Sequence, residues 1–238
     1  VELSTGFKGE KTSFGIINPA DWRGTKLFTR DTGGVSFQLT GPCGEIAVAL
    51  RLMGEYQVYN ALAAAAATSH LGVGLEEIKK GLETFQPPPM RMELMELEKR
   101  IKIINDAYNA NPPSMEAALH TLAEMRGGRK IAVLGDMWEL GAFARQAHRK
   151  LGRQVKEYGV DLLFLLGKFA PHVAEGARAA GMSPETISIG EDHHTLSLRL
   201  ARQLKKGDWV LVKGSRIMKM EKVIAELGGA LRKKSLKS

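Results

Sequence analysis

The sequence predicts an α/β chain in two parts: a small α+β leading segment, then a Rossmann-like, doubly wound and mainly parallel sheet. Three observations carry this. From Met90 onward, strand and helix patterns alternate at spacings that call for a parallel sheet covered by helices. The runs at 131–134 and 162–166 are continuously apolar, as strands buried on both faces are. Finally, Pro87, Pro88 and Pro89 form a stiff, extended joint between the two rhythms. The expected domains are therefore 1–88 and 89–238.

Residues 1–25 show no core pattern of their own and read as the continuation of something preceding them. Three short strands are expected within 26–52, where residues 35–39 and 45–50 alternate with a period of two. Glycine-rich turns at 31–34 and 41–44 separate them. A helix follows at 57–70, built on an alanine run with high helix propensity, and Gly72 stands where a terminating glycine belongs. The next helix, 75–85, places Glu76 and Glu77 in its first turn and Lys79 and Lys80 later, matching the helix dipole. In the second part, strands are expected at 92–97, 101–105, 130–134, 161–166, 186–189 and 208–213. Helices are expected at 113–126, 144–158, 169–180, 194–205 and 217–227. Six methionines (Met92, Met95, Met115, Met125, Met218 and Met220) read as core and gap fillers.

Composition narrows the class. The 238 residues, 44% hydrophobic and 25% charged, suffice for one large domain or two modest ones. No apolar run is long enough to span a bilayer, the first residues lack a secretory pattern, and Cys43 is the single cysteine. The expectation is a cytoplasmic protein with no membrane partner, no disulfide and no cysteine zinc site. A net charge of +8 favours anionic partners, although Arg232, Lys233, Lys234 and Lys237 of the tail carry part of it. Aromatics make up 6% of the chain and do not interleave with basic runs, so nucleic acid is not an expected partner.

Ligands of open α/β sheets gather at the carboxyl ends of the strands. Three polar motifs stand there. Asp106 opens Asp-Ala-Tyr-Asn-Ala-Asn-Pro-Pro-Ser at 106–114; a strand-end aspartate suits a ribose diol, and Asn109 and Asn111 add donors and acceptors. Turn residues with Asn111 as a helix cap would explain the same string equally well. Asp136 follows Gly135 at the next strand end, with Glu139 three residues later on the same rim and His148 on the following helix. Two acids there would shift each other's pKa or hold an amine; solvated loop acids and a packed histidine are the plainer alternative. Lys213, Ser215 and Arg216, set about Gly214 before a helix, make the strongest local signal: helix amides, an ammonium and a forked guanidinium suit an anion. Asn60 in the alanine helix and Arg91 just past the prolines complete the set.

The wording of these motifs goes further. Tyr-Asn-Ala-Leu-Ala-Ala-Ala-Ala at 59–66, Asn-Asp-Ala-Tyr-Asn-Ala-Asn-Pro-Pro-Ser-Met at 105–115, Leu-Gly-Asp-Met-Trp-Glu-Leu-Gly at 134–141 and Val-Lys-Gly-Ser-Arg at 212–216 together resemble the Mur ligase family. The branch that adds D-alanyl-D-alanine is the nearest in wording, and order and spacing agree along the chain. The resemblance implies an ATP- and Mg2+-dependent ligase of peptidoglycan precursor synthesis. Its small-molecule substrates would be UDP-N-acetylmuramoyl-tripeptide and D-alanyl-D-alanine, joined through an acyl phosphate, in a monomeric enzyme. By the same resemblance Asn60 would touch adenine, Arg91 the ATP phosphates, Asp106 the ribose, and Asn109 phosphate or substrate. Lys213, Ser215 and Arg216 would receive the dipeptide, while Asp136 and His148 are candidates to take the amine proton. The family's phosphate loop and magnesium ligands do not occur in this sequence, which contains no Gly-x-x-x-x-Gly-Lys-Ser/Thr. Residues 1–88 therefore resemble a remnant of the central ATP-binding domain and 89–238 the C-terminal domain, a portion expected to be inactive alone. A folylpolyglutamate synthetase-like ligase and a non-catalytic nucleotide- or peptide-binding module are the rival readings.

Overall fold

The computed structural model describes residues 6–30 and 34–235, without the side chains of residue 99 and of 231–235. Residues 31–33 of the expected first turn, and the side chains of the basic tail, lie outside the described residues. The chain divides into two compact units, Val1–Gln86 and Pro87–Ser238.

The first unit is a four-stranded sheet in the order β1-β2-β3-β4 with two helices. Here β1 is Phe14–Gly15, β2 Trp22–Thr29, β3 Val35–Gly41 and β4 Gly44–Ala49; α1 is Tyr56–His70 and α2 Leu75–Thr84. Strand β1 runs parallel to β2, and the others are antiparallel neighbours. The expected start of strand structure at residue 26 is corrected: β2 begins at Trp22, whose indole lies in the core with Phe37, Leu39, Val48, Val58 and Leu62. The alternation is hidden because the next inward position is Gly24. A Cβ there would come within 2.7 Å of Val58 Cγ1, so the strand accepts α1 against bare backbone. A bulge between Thr25 and Phe28, with Lys26 at φ 54, then breaks the period again. The 41–44 turn closes as expected on Gly44 at φ 120. Helix α2 stops at Thr84, and Phe85 is already extended ahead of the prolines.

The second unit is a six-stranded sheet in the order β5-β6-β10-β7-β8-β9. Its strands are β5 (Glu93–Leu97), β6 (Ile101–Asp106), β7 (Lys130–Gly135), β8 (Leu162–Leu166), β9 (Ile187–Gly190) and β10 (Trp209–Lys213). Only β5 is antiparallel; the other neighbours run parallel. The helices are α3 (Pro112–Glu124), α4 (Ala144–Glu157), α5 (Ala170–Ala179), α6 (His193–Gln203) and α7 (Glu221–Ser235). Side chains of Ile101, Ile103, Ile131, Val133, Phe164, Val210 and Val212 pack with those of α6 and α7 on one face. The alternate residues of the same strands, Ile104, Ala132, Leu134, Leu163, Leu165 and Leu211, are equally buried on the face toward α3, α4 and α5. This is the doubly wound arrangement expected from the continuous apolar runs.

Asn111 caps α3 reciprocally: its Oδ1 accepts the Ser114 N–H at 2.9 Å, while Ser114 Oγ accepts the Asn111 N–H at 3.0 Å. The expected last helix, 217–227, is corrected. Residues Arg216–Met218 form one 3-10 turn, the chain reverses through Lys219 at φ 49, and α7 starts only at Glu221. No helix among the described residues is long and apolar enough to cross a membrane.

Helices α4 and α5 touch backbone to backbone at two glycines. A Cβ on Gly176 would lie 2.0 Å from the Arg149 carbonyl, and one on Gly152 2.0 Å from that of Val173. Gly176→Ala is therefore expected to destabilise the protein by about 2 kcal/mol or more. Gly81→Ala, on α2 with open space around it, should stabilise by roughly 0.5–1 kcal/mol. Chemical denaturation of the two variants checks the opposite signs.

Candidate functional site

Strand β10 lies between β6 and β7, so Lys213 stands in register with Asp106 on one side and Leu134 on the other. This brings three motifs to one edge. Lys213, only 2% exposed, donates from Nζ to Asp106 Oδ2 and to the Asn109 carbonyl. The other Asp106 oxygen accepts the Met92 N–H at 3.1 Å. Burial pushes the Asp106 carboxyl above its usual value, although Lys213, Met92 and Arg91 all work in the opposite direction. A carboxylate has about four lone-pair positions, so Asp106 keeps acceptor capacity after these two bonds.

Ser215 joins the loops. Its N–H donates to the Asp136 carbonyl at 3.0 Å and its hydroxyl to the Ala110 carbonyl at 3.2 Å, while Oγ accepts the Trp138 N–H at 2.9 Å. One buried serine thus ties the chain after β10 to the chains after β6 and β7. The helix expected directly after 213–216 is replaced by a short turn, and two of the three side chains expected to meet an anion are buried. Lys213 is held by Asp106, the Ser215 amide and hydroxyl are engaged, and the turn that follows is three residues long. Arg216 alone of the three faces outward; its Nη1 bonds Glu221 Oε1 at 2.9 Å and lies 3.7 Å from Met90 Sδ.

Asp136, 3% exposed, turns inward to the start of α5, accepting the N–H groups of Lys168 at 2.8 Å and Phe169 at 3.0 Å. Burial raises its pKa against the pull of these amides and of His148. Gly167, at φ 124, lets the loop approach, since a Cβ would sit 2.4 Å from the Asp136 carboxyl carbon. The expected partnership with Glu139 is replaced by these backbone contacts. His148 is fully buried and stacks on Phe169 at 4.6 Å between centroids. Its Nε2 accepts the Met137 N–H at 2.9 Å, which leaves the proton on Nδ1 to be donated to the Ala144 carbonyl at 2.7 Å. Both nitrogens are in use and Asp136 Oδ1 is 4.0 Å from Nε2. His148 thus holds the strand-end loop with both ring nitrogens engaged.

Of the expected residues, Asp106, Asn109, Asp136, His148, Lys213 and Ser215 lie in one connected network, with Arg91 and Arg216 at its margin. Arg91 is exposed, its guanidinium carbon 4.0 Å from the centroid of the Tyr108 ring. Asn60 belongs to the first unit. It is the fifth residue of α1, exposed, and its amide donates to Gln57 Oε1 at 3.0 Å. Tyr108 and Glu93 were not among the expected site residues. Tyr108 sat unassigned within its motif, and Glu93, which accepts from Met90 N–H and Asn105 Nδ2, carries no sequence signal. Among the described residues no group of three or more His, Cys, Asp or Glu side chains could hold a metal ion.

Fold and edge together define an α/β domain of the kind that takes small anionic ligands at the carboxyl ends of a parallel sheet. The chain belongs to the Mur ligase family: residues 90–216 match its glutamate ligase domain and residues 2–68 its middle domain. It is 36% identical over 177 residues to the UDP-N-acetylmuramoyl-tripeptide--D-alanyl-D-alanine ligase of Bacillus subtilis, covering 74% of this chain and 38% of that one. The enzyme of the same name from Escherichia coli is 38% identical over 196 residues, covering 82% and 42%. A crystal structure of MurF from Acinetobacter baumannii superposes with a TM-score of 0.80 at 33% identity, over 92% of this chain and 47% of that one. The chain thus spans less than half the length of these relatives.

Burial lowers the His148 pKa beneath its ordinary 6.5, more than the Ala144 carbonyl and Asp136 raise it. The unfolded chain then binds this proton before the folded one does. Stability is expected to fall as pH drops below about 6.5, continuing until the lower folded pKa is passed. Histidine NMR titration of the folded chain checks it; a His148 pKa at or above 6.5 would refute the assignment.

Proposed function

We propose that the chain is the C-terminal part of a ligase that joins D-alanyl-D-alanine to UDP-N-acetylmuramoyl-tripeptide. ATP is consumed through an acyl phosphate. The observation that carries this reading is the composition of one sheet edge. A half-buried aspartate with acceptor capacity left, Asp106, has Arg91 near it, and a second outward guanidinium, Arg216, follows the strand tip that Asp106 pairs with. A nucleotide asks for a diol acceptor and a phosphate donor, and a dipeptide for a carboxylate donor. Asp106 would take the ribose, Arg91 the phosphates, and Asn60 the adenine edge from the first unit. Arg216 would take the dipeptide carboxylate. Lys213 and Ser215 serve it by fixing the strand tip, and exposed Asn109 faces phosphate or substrate.

In this reading Asp136 and His148 support the edge, and neither takes the amine proton. Residues 1–88 belong to the central ATP-binding domain and 89–238 to the C-terminal domain. The magnesium ligands and the phosphate loop come from outside this chain, which by itself does not turn over ATP. Phosphoryl transfer depends on positioning and charge stabilisation that those elements supply. The complete enzyme is a cytoplasmic monomer with small-molecule partners and neither nucleic acid nor membrane among them.

Two measurements test it. The full-length gene product should form the amide from tripeptide, dipeptide and ATP, whereas this chain should release no ADP. In the full-length product, Arg216→Ala should raise the KM for D-alanyl-D-alanine about ten- to a hundredfold, the value of a charge-assisted hydrogen bond. An unchanged dipeptide KM would remove Arg216 from the site.

A further inference from the structure

Arg91 sits in an unusual piece of backbone. The residues on either side, Met90 (φ 61) and Met92 (φ 51), both adopt the left-handed conformation. That conformation is uncommon outside glycine, and two instances flanking one residue need an external cause. The cause is visible as three bonds. The Met90 N–H donates to Glu93 Oε2 at 3.1 Å, and the Met90 carbonyl accepts the Tyr108 N–H at 3.1 Å. The Met92 N–H donates to Asp106 Oδ1 at 3.1 Å, and the Met92 side chain is buried. The backbone is thus pinned on both sides of Arg91, while the Arg91 side chain is directed outward and laid over the Tyr108 ring.

The choice of a ring face has a consequence. An ion pair would occupy the guanidinium N–H groups, as Glu221 does for Arg216. A ring beneath the plane attracts the cation and restricts its rotamers, yet leaves the in-plane donors free for an anion. Among the described residues no carboxylate forms a salt bridge with Arg91. Tyr108, itself 42% exposed, is fastened by its own backbone to the segment it serves.

We propose that Tyr108 is a positioning residue. It holds Arg91, on a backbone bent for the purpose, in the orientation in which the guanidinium meets the phosphates of a nucleotide. This rests on the reading of Arg91 given above and adds the device that presents it. Binding then meets an arginine already ordered, and less side-chain entropy is lost on association.

The test uses the full-length gene product, with ATP as the varied substrate. Tyr108→Leu should raise the KM for ATP about two- to thirtyfold, the range of a cation–π contact, with the dipeptide KM little moved. Tyr108→Phe keeps the ring and should stay within about threefold of the parent. Added to Arg91→Ala, Tyr108→Leu should have no further effect, whereas a general packing defect would add. If Arg91→Ala raises the ATP KM and Tyr108→Leu does not, the positioning role is overturned and the nucleotide reading stands. If Arg91→Ala leaves the ATP KM unchanged, the nucleotide reading of Arg91 fails and this proposal with it. On the present chain, NMR should find the Arg91 side-chain protons shifted upfield by the ring. The shift should be lost in Tyr108→Leu; its absence in the parent would overturn the contact itself.

Discussion

The pair of half-buried Asp106 and buried Lys213 is the constraint on which the second unit's edge depends. Parallel strands satisfy one another along their length, but at their carboxyl ends the ladder stops and the backbone must find other partners. Lys213 is the last residue of the central strand, and Asp106 the last of its neighbour. Their charges meet inside the protein, where removing either alone costs about 3–5 kcal/mol and replacing both by apolar groups costs far less. Stability does not explain the pair well. Geometry does: Lys213 also binds the Asn109 carbonyl, and Asp106 the Met92 amide, so one ion pair places the loop after β6 and the segment before β5.

Ser215 extends the arrangement to β7, and Asp136 extends it to β8. Each uses one small polar group to satisfy backbone atoms of a different loop, so the four strand ends share their bonds. Close approach makes this feasible. A Cβ on Gly214 would sit 2.7 Å from Met220 Cγ, and one on Gly135 2.8 Å from Met220 Sδ. These two glycines let the central strand tips and the start of α7 press together beneath the polar layer. Exposed residues of this edge include Arg91, Tyr108, Asn109, Trp138, Glu139 and Arg216. Polar groups inside the edge build it, and the others stand in solvent. The motif residues split along that line, and the split could not be guessed from their chemistry.

Histidine 148 and lysine 213 illustrate the point. Both are residues that chemistry would nominate for catalysis or anion binding, and both lie at a strand end or just beyond one. Burial gives His148 two backbone partners and Lys213 a carboxylate and a carbonyl. Arg91 went the other way. It stands exposed just past the three prolines, on a left-handed stretch of backbone and over the tyrosine ring.

Apolar runs at 131–134 and 162–166 and the cap at Asn111 could be read from the chain, because each is a local pattern whose physical cause lies within a few residues. The motif wording likewise placed the family, since order and spacing survive without coordinates. Strand β2 could not be read, because its second inward position is Gly24, and an absent side chain leaves no period to detect. The true end of the 213–216 loop was hidden too: whether helix follows depends on where the Ser215 amide goes, and its partner, the Asp136 carbonyl, is 79 residues away. Sequence by itself determined which residues reach the carboxyl edge of the sheet. Only tertiary structure decided which of them face inward as ties and which face solvent, because that depends on long-range hydrogen bonds and burial.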